Sequence, residues 1–237
     1  MSVQSLPDKS EIQARILGHL MQLDALRGSG VSKAALQPRA WLKSWQAQRL
    51  ATSHEALLQS PRYAPAARFF LDDLYGPKDH RLRDQDLARV LPKLLKLLPQ
   101  SAQWTLAQAL NMDVISETLD AQMAECLVQV GALRFEGDLD AERYARAYRT
   151  VGQVQQRQEQ LDLVLQIGHS LDQLTRLPML SASLKLMKKP AELAGLSELH
   201  GFLQRGFTAF AHMKGAEDFL QSIVREERSL MLSWLQP

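Results

Sequence analysis

Residues 101–130 read SAQWTLAQALNMDVISETLDAQMAECLVQV, a run without proline or glycine in which apolar positions recur at helical spacing. Met123, Cys126, Leu127 and Val130 fall at i, i+3, i+4 and i+7, which places them on one face and makes Cys126 a core residue rather than a nucleophile. The run reads as one long helix, or two joined near Asn111 to Asp113. Outward from it the same signal continues in both directions. Leu, Ala, Gln, Arg and Glu dominate nearly every window, Val/Ile/Thr clusters are few, and no Asn-Gly or Asp-Gly hairpin occurs. The fold class expected is all-α: a multi-helix bundle of about eight helices with no sheet. Residues 1–237 are expected to form a single helical domain, with a subdivision near residue 138 as the alternative.

Boundaries follow from caps and breakers. The first helix is expected from about Ser10 to Arg27, opening on SEIQ with capping-box spacing and closing at Gly28 to Gly30. A second follows Pro38, carries Trp41 and Trp45 one turn apart, and runs toward Ser60. Residues 84–98 are helical around Pro92, where a kink is expected, with Leu91, Leu94, Leu95 and Leu98 facing the core and Lys93 and Lys96 opposite. In FEGDLDAE, Asp138 or Asp140 is the next N-cap. The helix after it is expected to reach Leu177, interrupted by Gly152 and Gly168. Its segment QQRQEQ, Gln155 to Gln160, is polar for more than a turn and is expected to be wet all round. A looser Lys-bearing segment precedes two helices, about Ser197 to Met213 and Ala216 to Leu235, that turn at Lys214-Gly215.

Composition narrows the function classes. The chain has 28 basic and 26 acidic side chains, 46% hydrophobic and 23% charged residues, and a net charge of +2. That charge disfavours nucleic-acid binding by bulk electrostatics and leaves only a local patch. Arg143, Arg146, Arg149 and Arg157 are the residues for one, although Glu142 and Glu159 lie among them. The single Cys126 and the lack of a basic-apolar-small leader pattern point to a reducing, cytoplasmic compartment. No apolar run reaches the roughly 18 residues of a membrane span. The sequence names no cofactor, no metal set and no catalytic residues: Glu-x-x-His, His-x-x-x-His, Cys-x-x-Cys, Gly-x-Ser-x-Gly and phosphate-loop patterns are all missing.

Two adjacent acids stand out in ARFFLDDLYGPKD, Ala67 to Asp79. At about 100° per residue, Tyr63, Ala67, Phe70, Leu71 and Leu74 share one face, while Phe69 points nearly the other way between Asp72 and Asp73. A helix covered on both sides is expected, with the aspartates anchored by arginines or helix N-termini, and Arg68 spaced to pair with Asp72. Gly76 is expected to close the helix in a left-handed conformation before Pro77. This block, with RDQDLARVLPKL after it and the C-terminal GFTAFAHMKGAEDFLQSIVREE, resembles the uncharacterised bacterial proteins named for an FFLEELY motif. Asp72 and Asp73 stand where that motif has glutamates. The resemblance covers most of the chain and implies no activity, cofactor or partner.

Two residues break the apolar pattern more sharply. Phe219, Leu220, Ile223, Val224, Leu230, Met231 and Trp234 define an apolar face with Glu227 near its centre, and Ile12, Ile16, Leu20, Leu23 and Leu26 define one that includes His19. A buried carboxylate needs a partner, a proton or a cavity, so Glu227 is expected to meet a histidine, arginine or tyrosine of another helix, His19 first. The leading expectation for function is a non-catalytic cytosolic helical protein acting through protein contacts, with Gln155 to Gln160 as a docking surface. The alternative is a small-molecule or metal-binding bundle, open to enzymatic activity, in which Glu227, His19, Asp72 and Asp73 are the pocket candidates.

Overall fold

Asp8 starts the first helix, because its carboxylate accepts the Glu11 amide at 2.8 Å. The cap thus lies two residues before the expected Ser10. The computed structural model describes residues 6–74 and 81–236, and more than four-fifths of those residues are helical, with no strand among them. In chain order the helices are α1 (Lys9–Arg27), α2 (Lys33–Ser53), α3 (Glu55–Gln59), α4 (Ala64–Phe69), a π-helical turn (Phe70–Leu74), α5 (Arg81–Leu97), α6 (Gln100–Gln129), α7 (Ala141–Val151), α8 (Val154–Thr175), α9 (Pro178–Leu186), α10 (Lys188–Leu193), α11 (Ser197–Met213) and α12 (Glu217–Leu235).

The described residues hold twelve α-helices rather than eight, since α3, α4, α9 and α10 are separate pieces of five to nine residues. Pro38 lies inside α2 instead of before it; Ser32 caps that helix by accepting the Ala35 amide at 3.3 Å. Of the two candidate caps for α7, Asp140 serves. The boundaries of α11 and α12 match the spacing of their signals. Gly76 and Pro77 lie outside the described residues. No helix among the described residues is long and apolar enough to cross a membrane.

At 1.5 Å per residue the 30-residue α6 is about 45 Å long, and α1, α2, α7 and α8 pack along it. Ile12, Ile16 and Leu23 of α1 meet Leu91, Leu110 and Ala107. Farther along, Met123 and Leu127 meet Leu42, Leu133, Tyr144 and Tyr148. Val130, expected on this face, is exposed because α6 ends one residue earlier. Cys126 is half-buried at the edge of the cluster. A third cluster joins α4, α8, α11 and α12 through Phe69, Val164, Phe210, Met213, Phe219 and Leu220.

The expected pairing of glycines with helix breaks holds at one position and fails at the other. Gly152 separates α7 from α8, whereas Gly168 stays inside α8, where a Cβ would stand 2.3 Å from Leu220 Cδ2. Leu220 is fully buried, so the added methyl must displace packed core. Gly168→Ala is therefore expected to destabilise by roughly 1–3 kcal/mol, overpacking outweighing the gain in helix propensity. A urea titration showing the alanine variant equal to or more stable than the parent would contradict this contact.

Candidate functional site

Polar residues on otherwise apolar helix faces converge at one place. On α2, Leu42, Trp45, Gln46 and Arg49 follow i, i+3, i+4 and i+7, so the face that buries Leu42 also carries Gln46 and Arg49 inward. On α6, Asp120 precedes Met123 and Leu127 by one and two turns. On α8, Arg157 precedes Leu161 and Val164 in the same way, and on α12 Glu227 lies between Val224 and Met231. These residues, with His54, Tyr144, Tyr148, Gln160 and Trp234, line a cavity of about 160 Å³. Leu57, Ala67, Phe70, Leu119, Val164 and Ile223 form its apolar wall.

Glu227 is held from α2 rather than α1. Arg49 Nη1 donates to its Oε1 and Oε2 at 2.5 and 2.6 Å, and His54 Nε2 lies 2.9 Å from Oε1. The Arg49 guanidinium also lies over Trp234, 5.3 Å from the ring centroid. Burial pushes the Glu227 carboxyl up, but the His54 hydrogen bond and the Arg49 charge outweigh it, and the group sits below its ordinary range.

Three aromatic rings, Tyr144, Tyr148 and Trp234, also line the cavity. Tyr144 stacks on Trp45 at 4.3 Å, and Tyr144 and Tyr148 meet the Trp234 ring edge-on at 5.0 and 5.1 Å. Burial pushes the Tyr148 phenol up to about 12 against the opposing charge of Arg157, so it stays a neutral hydroxyl. Ser116 is committed: its hydroxyl donates to Met112 O and accepts from Gln160 Nε2.

The corner between α7 and α8 sets Arg157. Gly152 has φ 65 and ψ −107, and Gln153 follows at φ 56, a left-handed conformation uncommon for a residue with a side chain. This corner turns the Gly152 carbonyl to accept Arg157 Nε at 2.7 Å. The guanidinium then lies 3.5 Å from the Tyr148 ring centroid. Far from being wet all round, the segment buries Arg157 and half-buries Gln156, Gln158 and Gln160. Gln158 bonds Asp162, and Glu159 accepts from Asn111.

Asp120 is the cavity's other acid. Gln46 Nε2 donates to Oδ1 at 3.0 Å, and Lys43 Nζ stands 4.0 Å from Oδ2. Burial raises its carboxyl from 3.8 to about 6, with Lys43 opposing and Glu117 adding to the rise. An acid raised in the folded state contributes stability fully below its unfolded value and loses it as pH rises through the folded one. Asp120→Asn is thus expected to stabilise the protein at pH 7.5 by roughly 1–3 kcal/mol, with the gain vanishing near pH 4. Equal stability of variant and parent at both pH values would contradict the assignment.

The other anticipated residues lie elsewhere. His19 is half-buried on α1, its Nδ1 3.4 Å from Gln22 Oε1, in a separate depression with Arg15 and Trp104; it is not the partner of Glu227. Asp72 is exposed and Asp73 buried, with Arg205 donating to both Asp73 oxygens at 3.1 and 2.7 Å. The π-helical turn widens the spacing so that Phe69 and Phe70 both reach the aromatic cluster, 5.4 Å from Phe202 and 5.8 Å from Phe219 respectively. Neither aspartate lines the cavity. The four arginines form no common basic face: Arg143 pairs with Asp138, Arg146 with Glu142, Arg149 donates to Gln236 O, and Arg157 is buried on another helix. Among the described residues no group of three or more His, Cys, Asp or Glu is placed to hold a metal ion.

Among known families, a model described as Domain of unknown function (DUF8198) matches residues 26–236. No curated protein and no solved structure matches the chain.

Proposed function

We propose that this chain, which belongs to the family described as Domain of unknown function (DUF8198), is a small-molecule-binding helical protein whose ligand occupies the cavity between α2, α6, α7, α8 and α12. The observation that carries this reading is the convergence of Gln46, Arg49, Asp120, Arg157 and Glu227 on one cavity set among apolar clusters. Polar groups at such a position disfavour folding unless paired, and binding sites retain them for recognition. An apolar cavity of about 150 Å³ holds benzene, so the size suits a ligand of about six to ten non-hydrogen atoms. The helices come from both sides of residue 138, which supports treating 1–237 as one unit. A reducing, cytoplasmic setting and the likeness to bacterial FFLEELY-motif proteins belong to the same reading.

The test is a panel of neutral and charged fragments of that size, followed by ligand-observed NMR on the parent and on Ile223→Phe, which narrows the cavity. Fragments that bind the parent and are lost in a folded variant support the reading. A panel that binds neither protein, or both alike, overturns it.

Action through protein contacts is a second reading, and it rests on α9 and α10 rather than on residues 155–160. Met179, Leu186, Met187 and Leu193 are exposed there beside Lys185, Lys188 and Lys189, a surface suited to an acidic, apolar segment of another protein. A photo-reactive residue at position 186 should give one dominant adduct in cells, lost in Lys188→Glu/Lys189→Glu. Adducts as diffuse as those from exposed position 21 would count against it.

A further inference from the structure

We propose that the cavity ligand is a small organic carboxylate with an apolar or aromatic body, and that Arg157 is its countercharge. This rests on the cavity being a binding site. The buried charges elsewhere are matched within the protein: Arg27 pairs with Asp113 and Glu117, Glu117 also with Lys43, and Asp73 with Arg205. Arg157 differs. It is 6% exposed and lines the cavity, yet no carboxylate of the described residues lies within ion-pair distance. Its Nε is satisfied by Gly152 O, while Nη2 is buried with no acceptor among the described residues. Arg49 repeats the pattern in part, since its Nη1 holds Glu227 and its Nε is buried without an acceptor.

A buried guanidinium that meets a backbone carbonyl and an aromatic ring but no carboxylate is costly to fold, and the strained corner at Gly152 and Gln153 maintains it. A ligand carboxylate supplies the missing charge and a fork geometry that guanidinium matches. The rest of the wall fits the rest of such a molecule. Tyr148 and Trp234 offer ring faces and edges, and Leu57, Ala67, Phe70, Val164 and Ile223 take an apolar body. The cavity is too small for a nucleotide, and its apolar wall suits a ligand with a carbon body better than inorganic phosphate.

Asp120 adds a pH dependence to this site. The groups facing it are Lys43 and Gln46 from α2, Glu117 on its own helix, Tyr144 from α7 and Arg157 from α8. Across the cavity stand Arg49, His54 and Glu227. Ionised Asp120 competes for the field of Arg157 and repels a second carboxylate, so carboxylate affinity falls as pH rises through about 6.

The experiment is isothermal titration of the full chain with benzoate, hexanoate, benzamide and inorganic phosphate between pH 5 and 8. Benzoate or hexanoate binding that exceeds benzamide and phosphate supports the proposal. So do a loss of about tenfold or more in Arg157→Gln, retention in Arg157→Lys, and a pH dependence that disappears in Asp120→Asn. If Arg157→Gln does not fold, the Asp120→Asn arm decides alone: carboxylate affinity at pH 7.5 must rise. Benzamide binding as well as benzoate, with Arg157→Gln indifferent, overturns the carboxylate while leaving the cavity a binding site. No binding of any of the four overturns the carboxylate as well, and the fragment panel then decides whether the cavity binds anything.

Discussion

Arg27→Met is expected to destabilise the protein by about 3–5 kcal/mol, because it removes one member of a buried ionic cluster and leaves the others behind. Arg27 is 7% exposed at the end of α1; its Nη1 donates to Glu117 Oε1 at 2.7 Å and its Nη2 to Asp113 Oδ2 at 2.6 Å. Glu117 retains Lys43 in the variant, while Asp113 loses both of its contacts to Arg27. Burial pushes the Glu117 carboxyl up, but the charges of Lys43 and Arg27 bring it below its ordinary 4.5. A lowered acid contributes stability above its unfolded pKa and loses it as pH falls through the folded one, so parent and variant should converge in acid. A loss under about 1 kcal/mol, in the range of an exposed pair, would show the cluster to be a surface feature.

Glu227→Ala is the second large effect, also about 3–5 kcal/mol, since it leaves Arg49 and His54 facing the cavity without their shared acceptor. Glu227→Gln keeps the volume and one acceptor and should cost less, about 1–2 kcal/mol. The Glu227 carboxyl sits below 4.5 in the folded state, so its contribution is present above that pH and is lost as pH falls through the lower folded value. Guanidinium titrations of both variants at pH 7 and pH 4 separate these outcomes. A glutamine variant as stable as the parent would mean that volume rather than charge holds this contact, and equal losses in alanine and glutamine would mean that the charge, absent from both, accounts for all of it.

The helices were legible where apolar spacing and caps agree, as in α11 and α12, and less so where proline falls inside a helix, as at Pro38. Glu227 was legible because one acid interrupts a long apolar face. Other residues of the cavity carried the same mark: Gln46 and Arg49 share a face with Leu42 and Trp45, Asp120 with Met123 and Leu127, Arg157 with Leu161 and Val164. They were hidden by their neighbours, since a polar residue beside other polar residues reads as surface, and QQRQEQ conceals a buried arginine in a run of solvated types. His19 shows the opposite error. It sits on an apolar line, but at the helix edge an imidazole reaches a local glutamine. Periodicity identifies which way a side chain points on its own helix, and only tertiary packing decides which faces meet. The corner at Gly152 and Gln153 had no sequence mark beyond the glycine, yet it moves Arg157 off the face shared by Arg143 and Arg146.

The most direct test uses methyl-labelled methionines, because Met123 and Met231 line the cavity while Met21 and Met179 are exposed on other surfaces. Titrating benzoate at pH 6 should shift the Met123 and Met231 methyl signals saturably and leave Met21 and Met179 in place. Shifts confined to Met21 or Met179, or none at any methionine while a fragment panel also fails to bind, would contradict the cavity as the site of this protein's function.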